Sequence, residues 1–227
     1  MASEQGRGLK TEPGPAGPLP RGRHDLAPEE VRRHQRERIV GAVAKEMASR
    51  GYGDLTVGQI ISEARVSRTT FYAQFANKRE AVAGAHEIIS DRFVAILEEA
   101  CGREREWPLK VKAGIEAILD FAYANPEQAR LLAVRLDGAD VVLGESVRAS
   151  QRRLLELLAE GRSYPAAVAL PQITEEALVG AISIVISRVL DRGSDDDYAT
   201  LRLQLVEFIL AFYLGAGEAS RVAAGSG

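Results

Sequence analysis

Apolar residues recur at helical spacing along most of the chain, and no segment alternates for long enough to build a strand. Val40, Val43, Ala44 and Met47 form a first stripe in a helix expected to begin near Pro28, and Gly51 supplies a left-handed stop. Three helix starts of similar chemistry follow. Thr56 with Gln59 makes a capping box, flanked by Leu55 and Ile60 at the spacing of a hydrophobic staple. Ser67 opens the next start with Val66 and Phe71 as its staple, and Asn77 with Glu80 makes the third. The predicted helices run over 56–63, 67–73 and 77–100. Trp107-Pro108 then breaks the chain, and Pro108 suits the first turn of a helix reaching Ala124. Asn125-Pro126 opens a short helix to Val134, and another is expected over 140–159. Gly161, Pro165 and Pro171 mark a loop, after which two strongly apolar helices, 174–191 and 195–214, end the fold. The expected class is all-α, with about nine helices and no internal repeat.

Residues 1–27 differ from the rest. Pro13, Pro15, Pro18 and Pro20 stand among glycines with almost no large apolar group, which predicts a disordered tail. Arg7, Lys10, Arg21 and Arg23 would let it act as a basic arm. The expected division is a tail over 1–27, a helix-turn-helix unit over 28–76, a helical sensor and dimerisation unit over 77–217, and a flexible end over 218–227.

The net charge of −3 argues against a polyanionic partner until its distribution is considered. Residues 1–80 carry 14 basic against 10 acidic side chains, whereas 81–227 carry 15 against 22. The basic end suits an anionic partner met locally. A single cysteine, Cys101, excludes an internal disulfide and a multi-cysteine zinc site. The lack of a long apolar run or a secretory pattern leads to an expected cytoplasmic location. His24, His34 and His86 lie far apart, and no phosphate loop or nucleophile elbow is present, so neither an enzyme nor a cofactor is expected.

Within the helix starts, Ser67-Arg68-Thr69-Thr70-Phe71-Tyr72 is polar at its tip and aromatic behind. A helix that reads a DNA groove needs this arrangement: donors at the N-terminal end, and an apolar back holding it to a scaffold. Residues 51–82 as a whole resemble the DNA-binding signature of the tetracycline-repressor (TetR) family. Gly51, Thr56-Val57, Ile60, Ala64, Val66-Ser67, Thr70-Phe71-Tyr72, Phe75, Asn77-Lys78 and Glu80 carry the resemblance. It implies that Thr56 caps its helix and touches a phosphate, with Ser67 opening the recognition helix. Arg68, Thr69 and Thr70 would face bases or phosphates, Tyr72 and Lys78 would reach backbone phosphate, and Phe71 and Phe75 would be core. Arg65 stands where the family usually has glycine; the left-handed turn then costs about 1–2 kcal/mol, and Arg65 becomes a candidate phosphate contact. Gln74 replaces a more usual His or Tyr and receives no assigned contact.

The last two helices are apolar on two faces. Leu178, Ile182, Val185 and Val189, with Leu201, Leu205, Phe208 and Phe212, are the stripes expected to meet a second copy in a four-helix interface. A homodimer on a double-stranded, near-palindromic operator would follow. Between the two ends, Phe93, Leu97, Trp107, Ile115, Leu119, Tyr123, Leu132, Leu136, Leu155 and Tyr164 are candidate lining for an apolar or aromatic effector. The reading is a ligand-responsive repressor. Its alternative is a helical small-molecule-binding or scaffold protein that has lost DNA binding.

Overall fold

The computed structural model describes residues 27–133, 151–192 and 198–225. Nearly all of them are helical, and no strand occurs among them. In chain order the helices are α1 (Pro28–Asp54), α2 (Val57–Ala64), α3 (Arg68–Tyr72), α4 (Lys78–Gly102), α5 (Trp107–Ala124) and α6 (Pro126–Ala133). They continue with α7 (helical over 151–159), α8 (Thr174–Arg192), α9 (Tyr198–Leu214) and α10 (Ala216–Ala224). The all-α class stands. The tail up to residue 26, Leu136, residues 140–150 of one predicted helix and 195–197 of another lie outside the described residues.

The helix starts follow local chemistry. Thr56 Oγ1 accepts the Gln59 N–H while Thr56 N–H donates to Gln59 Oε1 at 2.7 Å, closing the capping box. Ser67 Oγ accepts the Thr70 N–H at 2.9 Å. Asn77 Oδ1 accepts the Glu80 N–H at 2.9 Å, and Glu80 reaches back to the Ala76 N–H rather than to Asn77. Gly51, at φ 73°, interrupts α1 where the sequence places its stop.

Two expectations change. The end of the chain is not a flexible tail from 218, because Ala216–Ala224 forms α10 and buries Ala219 and Ala223 against the core. The loop expected around Gly161 and Pro165 contains two short 3-10 turns, Glu160–Ser163 and Pro165–Ala167.

Helices α1 to α3 form a small unit around Ile39, Val43, Ile60, Phe71 and Phe75, with α4 packed along α1. Beyond it, α5 is the central post: α4, α6, α8, α9 and α10 all pack on it. The far end is pinned by Trp107. Its Nε1 donates to the Leu157 carbonyl at 2.8 Å, and its ring lies 4.8 Å from that of Tyr213 and 5.4 Å from that of Tyr164. Tyr213 donates to Glu175, whose carboxylate also takes two donors from Arg162. Burial acts to raise the Glu175 carboxyl, but these donors outweigh it and hold it below the ordinary range.

Candidate nucleic-acid interface

The turn between α2 and α3 is made by Arg65, which takes φ 51° and ψ 44°. It is the one positive-φ residue other than glycine among those described. The turn bonds itself through the Arg65 N–H to Ser62 O and the Val66 N–H to Ile61 O, each 3.2 Å. Its outward carbonyl accepts Arg38 Nη2 from α1 at 2.7 Å. Burial, and then the charge of Arg65, pushes the Arg38 guanidinium below its ordinary value. The two charges repel, and no ion pair to a carboxylate is found for either among the described residues.

From this turn α3 projects with Phe71 fully buried behind it. Ser67, Arg68 and Thr69 are exposed, and Thr70 is half-buried with its hydroxyl 2.8 Å from that of Ser67. Tyr72 is 51% exposed and meets Phe71 edge-on, so its hydroxyl end is free to face a ligand. Thr56 is exposed at the start of α2. Lys78, at the first turn of α4, donates to the Tyr52 carbonyl at 3.0 Å and stands 4.4 Å from the centre of the Tyr52 ring. An ammonium has three donors, so this tether leaves capacity for a phosphate. Gln74 is also tied down: its Nε2 donates to Arg32 O at 3.3 Å, and its Oε1 accepts from Arg36 at 3.4 Å.

Thr56, Arg65, Ser67, Arg68, Thr69, Thr70, Tyr72 and Lys78 thus belong to one small unit, on or beside α2, α3 and the start of α4. Sequence reading missed Arg38, Arg36 and the anchoring of Gln74. Their partners lie 27 to 42 residues away, and the only early signal was the basic run Arg32, Arg33, Arg36, Arg38.

The effector lining is placed differently. An apolar cavity of about 20 Å³ lies among Leu97, Val111, Gly114, Ile115, Leu157 and Ile182, with room for about one water. Of the predicted lining, Leu97 and Ile115 reach it. Phe93 packs on Phe121, Trp107 on Tyr164 and Tyr213, and Tyr123 on Tyr198, so these rings are spent on one another. Leu119 is fully buried without reaching the cavity, and Leu132, Leu155 and Tyr164 are half-buried away from it.

The apolar stripes of α8 and α9 divide in a way periodicity did not separate. Leu178, Ile182, Val189 and Leu205 are buried within the chain's own core, where α8 meets α5 and α6 and α9 meets α5 and α10. Val185 and Leu201 are half-buried. Phe208 and Phe212 remain 44% and 40% exposed, with their rings edge-to-face at 5.5 Å, and Ile184 on α8 is 60% exposed.

No group of three His, Cys, Asp or Glu among the described residues is placed to hold a metal ion. No helix among them is long and apolar enough to cross a membrane.

Comparison with known proteins agrees with this geometry. Residues 39–83, from α1 to the second turn of α4, match the bacterial regulatory proteins of the tetR family. Over 143 residues the chain is 25% identical to the nucleoid occlusion factor SlmA of Vibrio cholerae, spanning 58% of this chain and 73% of that protein. Among solved structures it resembles the fatty acid degradation regulator FadR of Bacillus halodurans. That match has a TM-score of 0.69 at 19% identity, over 82% of this chain and 97% of that one. It also resembles the regulator FadR of Bacillus subtilis in complex with stearoyl-CoA, with a TM-score of 0.65 at 18% identity, over 78% and 97% of the two chains. The helix-turn-helix segment thus matches that of the bacterial regulatory proteins of the tetR family, and the chain as a whole shares the fold of these solved structures.

Proposed function

We propose that this DNA-binding regulator is a ligand-responsive repressor that grips a near-palindromic operator as a homodimer. The observation that carries the reading is the exposed edge of α3, where Arg68, Thr69 and the half-exposed Tyr72 stand in front of a buried Phe71. Donors at the tip meet base edges and phosphates, and the aromatic back fixes the angle of entry. Lys78 and Thr56 flank it with phosphate contacts.

The dimer reading rests on Phe208, Phe212 and Ile184, large apolar side chains left open at the end of the chain remote from α3 in sequence. A two-fold pairing there would present two recognition helices to half-sites roughly 34–36 Å apart.

The effector is an apolar molecule, and a fatty acyl group is the class we favour. The cavity wall is aliphatic throughout, and the similar FadR of Bacillus subtilis was solved with stearoyl-CoA. An effector lowers DNA affinity only by its preference for a non-binding conformation of the dimer. The tightness of the cavity favours a second reading, in which the protein binds DNA without any small effector.

One titration tests these readings together. The protein is added to a fluorescent fragment of its own upstream intergenic DNA across a salt series, beside a Tyr72→Phe, Lys78→Ala double variant. Tight, steeply salt-dependent binding that the double variant loses, and that scrambled DNA does not show, supports the regulator. Release by long-chain acyl-CoA selects the effector-controlled form, and indifference to it selects the second reading. Weak binding equal on both DNAs would overturn sequence-specific regulation and leave a helical small-molecule-binding or scaffold protein.

A further inference from the structure

We propose that Arg38 is a positioning residue for DNA recognition: from α1 it holds the Arg65 turn left-handed, and so sets the pose of α3. The inference rests on the helix-turn-helix reading above. Arg65 carries the backbone conformation that an L side chain resists, at the hinge that aims the recognition helix. The turn satisfies its own N–H groups internally, and its outward carbonyl is the atom that Arg38 takes at 2.7 Å. The contact leaves Arg38 within electrostatic reach of the Arg65 charge, which lowers its guanidinium further, and no ion pair to a carboxylate is found for either among the described residues. A solvated arginine would turn away from such a neighbour, so the hydrogen bond is what keeps it there.

The left-handed form is unfavourable by roughly tenfold for a residue with a side chain. Without the clamp the turn spends less time in the binding pose, and apparent affinity falls by that fraction. Glycine in place of Arg65 removes the resistance and with it the need for the clamp.

The test is a double-mutant cycle on the full chain: wild type, Arg38→Ala, Arg65→Gly and the pair, each titrated on the upstream operator fragment at one salt concentration. Arg38→Ala is expected to weaken binding roughly tenfold when Arg65 is present and less than about threefold in the Arg65→Gly background. An equal loss in both backgrounds means that Arg38 acts on the DNA directly and overturns the proposal, as does unchanged affinity in Arg38→Ala. Thermal melts accompany each titration, and Arg38→Gln, which keeps an N–H donor without the charge, is expected to bind between wild type and Arg38→Ala. Arg38→Gln binding no better than Arg38→Ala would also overturn the clamp. Failure of the wild type to bind any fragment would instead overturn the underlying DNA-binding reading.

Discussion

The indole of Trp107 lies directly against the bare α-carbon of Gly161. A β-carbon there would come within 2.3 Å of Trp107 Cζ2 and 2.4 Å of Cη2, inside any tolerable contact. The ring cannot easily retreat, since its N–H is tied to Leu157 O and it packs at an angle on the rings of Tyr164 and Tyr213. Gly161→Ala is therefore expected to destabilise the protein by about 1–3 kcal/mol through overpacking. A thermal or urea melt measures it, and a variant that melts like the wild type would show that the ring moves freely.

Lys78 has one donor on Tyr52 O and its charge over the Tyr52 ring. If its remaining donors meet a phosphate, Lys78→Ala should weaken binding on every sequence alike and lower the salt slope by about 1. Changed discrimination between operator and non-operator DNA, at an unchanged slope, would contradict that role.

Phe208 and Phe212 present an apolar face that one carboxylate apiece would spoil. The Phe208→Glu, Phe212→Glu variant is expected to sediment as a monomer and to lose operator affinity, while remaining helical by circular dichroism. A variant that stays dimeric would place the interface elsewhere on the molecule.

Acid should act in two stages. Burial holds the His86 imidazole below its ordinary 6.5, so the unfolded chain takes up the proton first. Stability then falls as pH drops from about 6.5 towards the lower folded value. Glu175, held below its ordinary 4.5 by Arg162 and Tyr213 despite its burial, contributes stability that is present above 4.5 and lost as pH falls through its folded value. Urea midpoints measured from pH 7.5 to 3.5 should show both declines, and His86→Gln should flatten the first. A first decline unchanged in His86→Gln would assign it to another group.

What was legible in the sequence was what is local. Thr56, Ser67 and Asn77 each satisfy an amide three residues on, so α2, α3 and α4 announce themselves within a single turn. The buried Ile60 and Phe71 follow from the same spacing, while Phe75, between α3 and α4, is marked as core only through the family resemblance. The contacts of Arg38 and Gln74 cross to another helix and leave no local trace. Periodicity likewise reports that α8 has two apolar sides without telling which meets α5, so Leu178 and Ile182 were assigned to a partner when they serve the chain's own core. Ala216–Ala224 escaped because its buried side chains, Ala219 and Ala223, are too small to make an apolar stripe. Gly215 before it and Gly225 after it, both at positive φ, were the signal available.

Helix α4 is a single rod of 25 residues, about 37 Å long at 1.5 Å per residue. One end carries Lys78, and near the other Leu97 walls the aliphatic cavity. A stiff rod turns angle into distance: pivoting it by roughly 6° carries one end about 4 Å past its starting place. That exceeds the reach of a hydrogen bond. A few methyl groups rearranged around Leu97 would then be enough, as lever arithmetic, to shift the Lys78 ammonium out of hydrogen-bond reach of any phosphate it held.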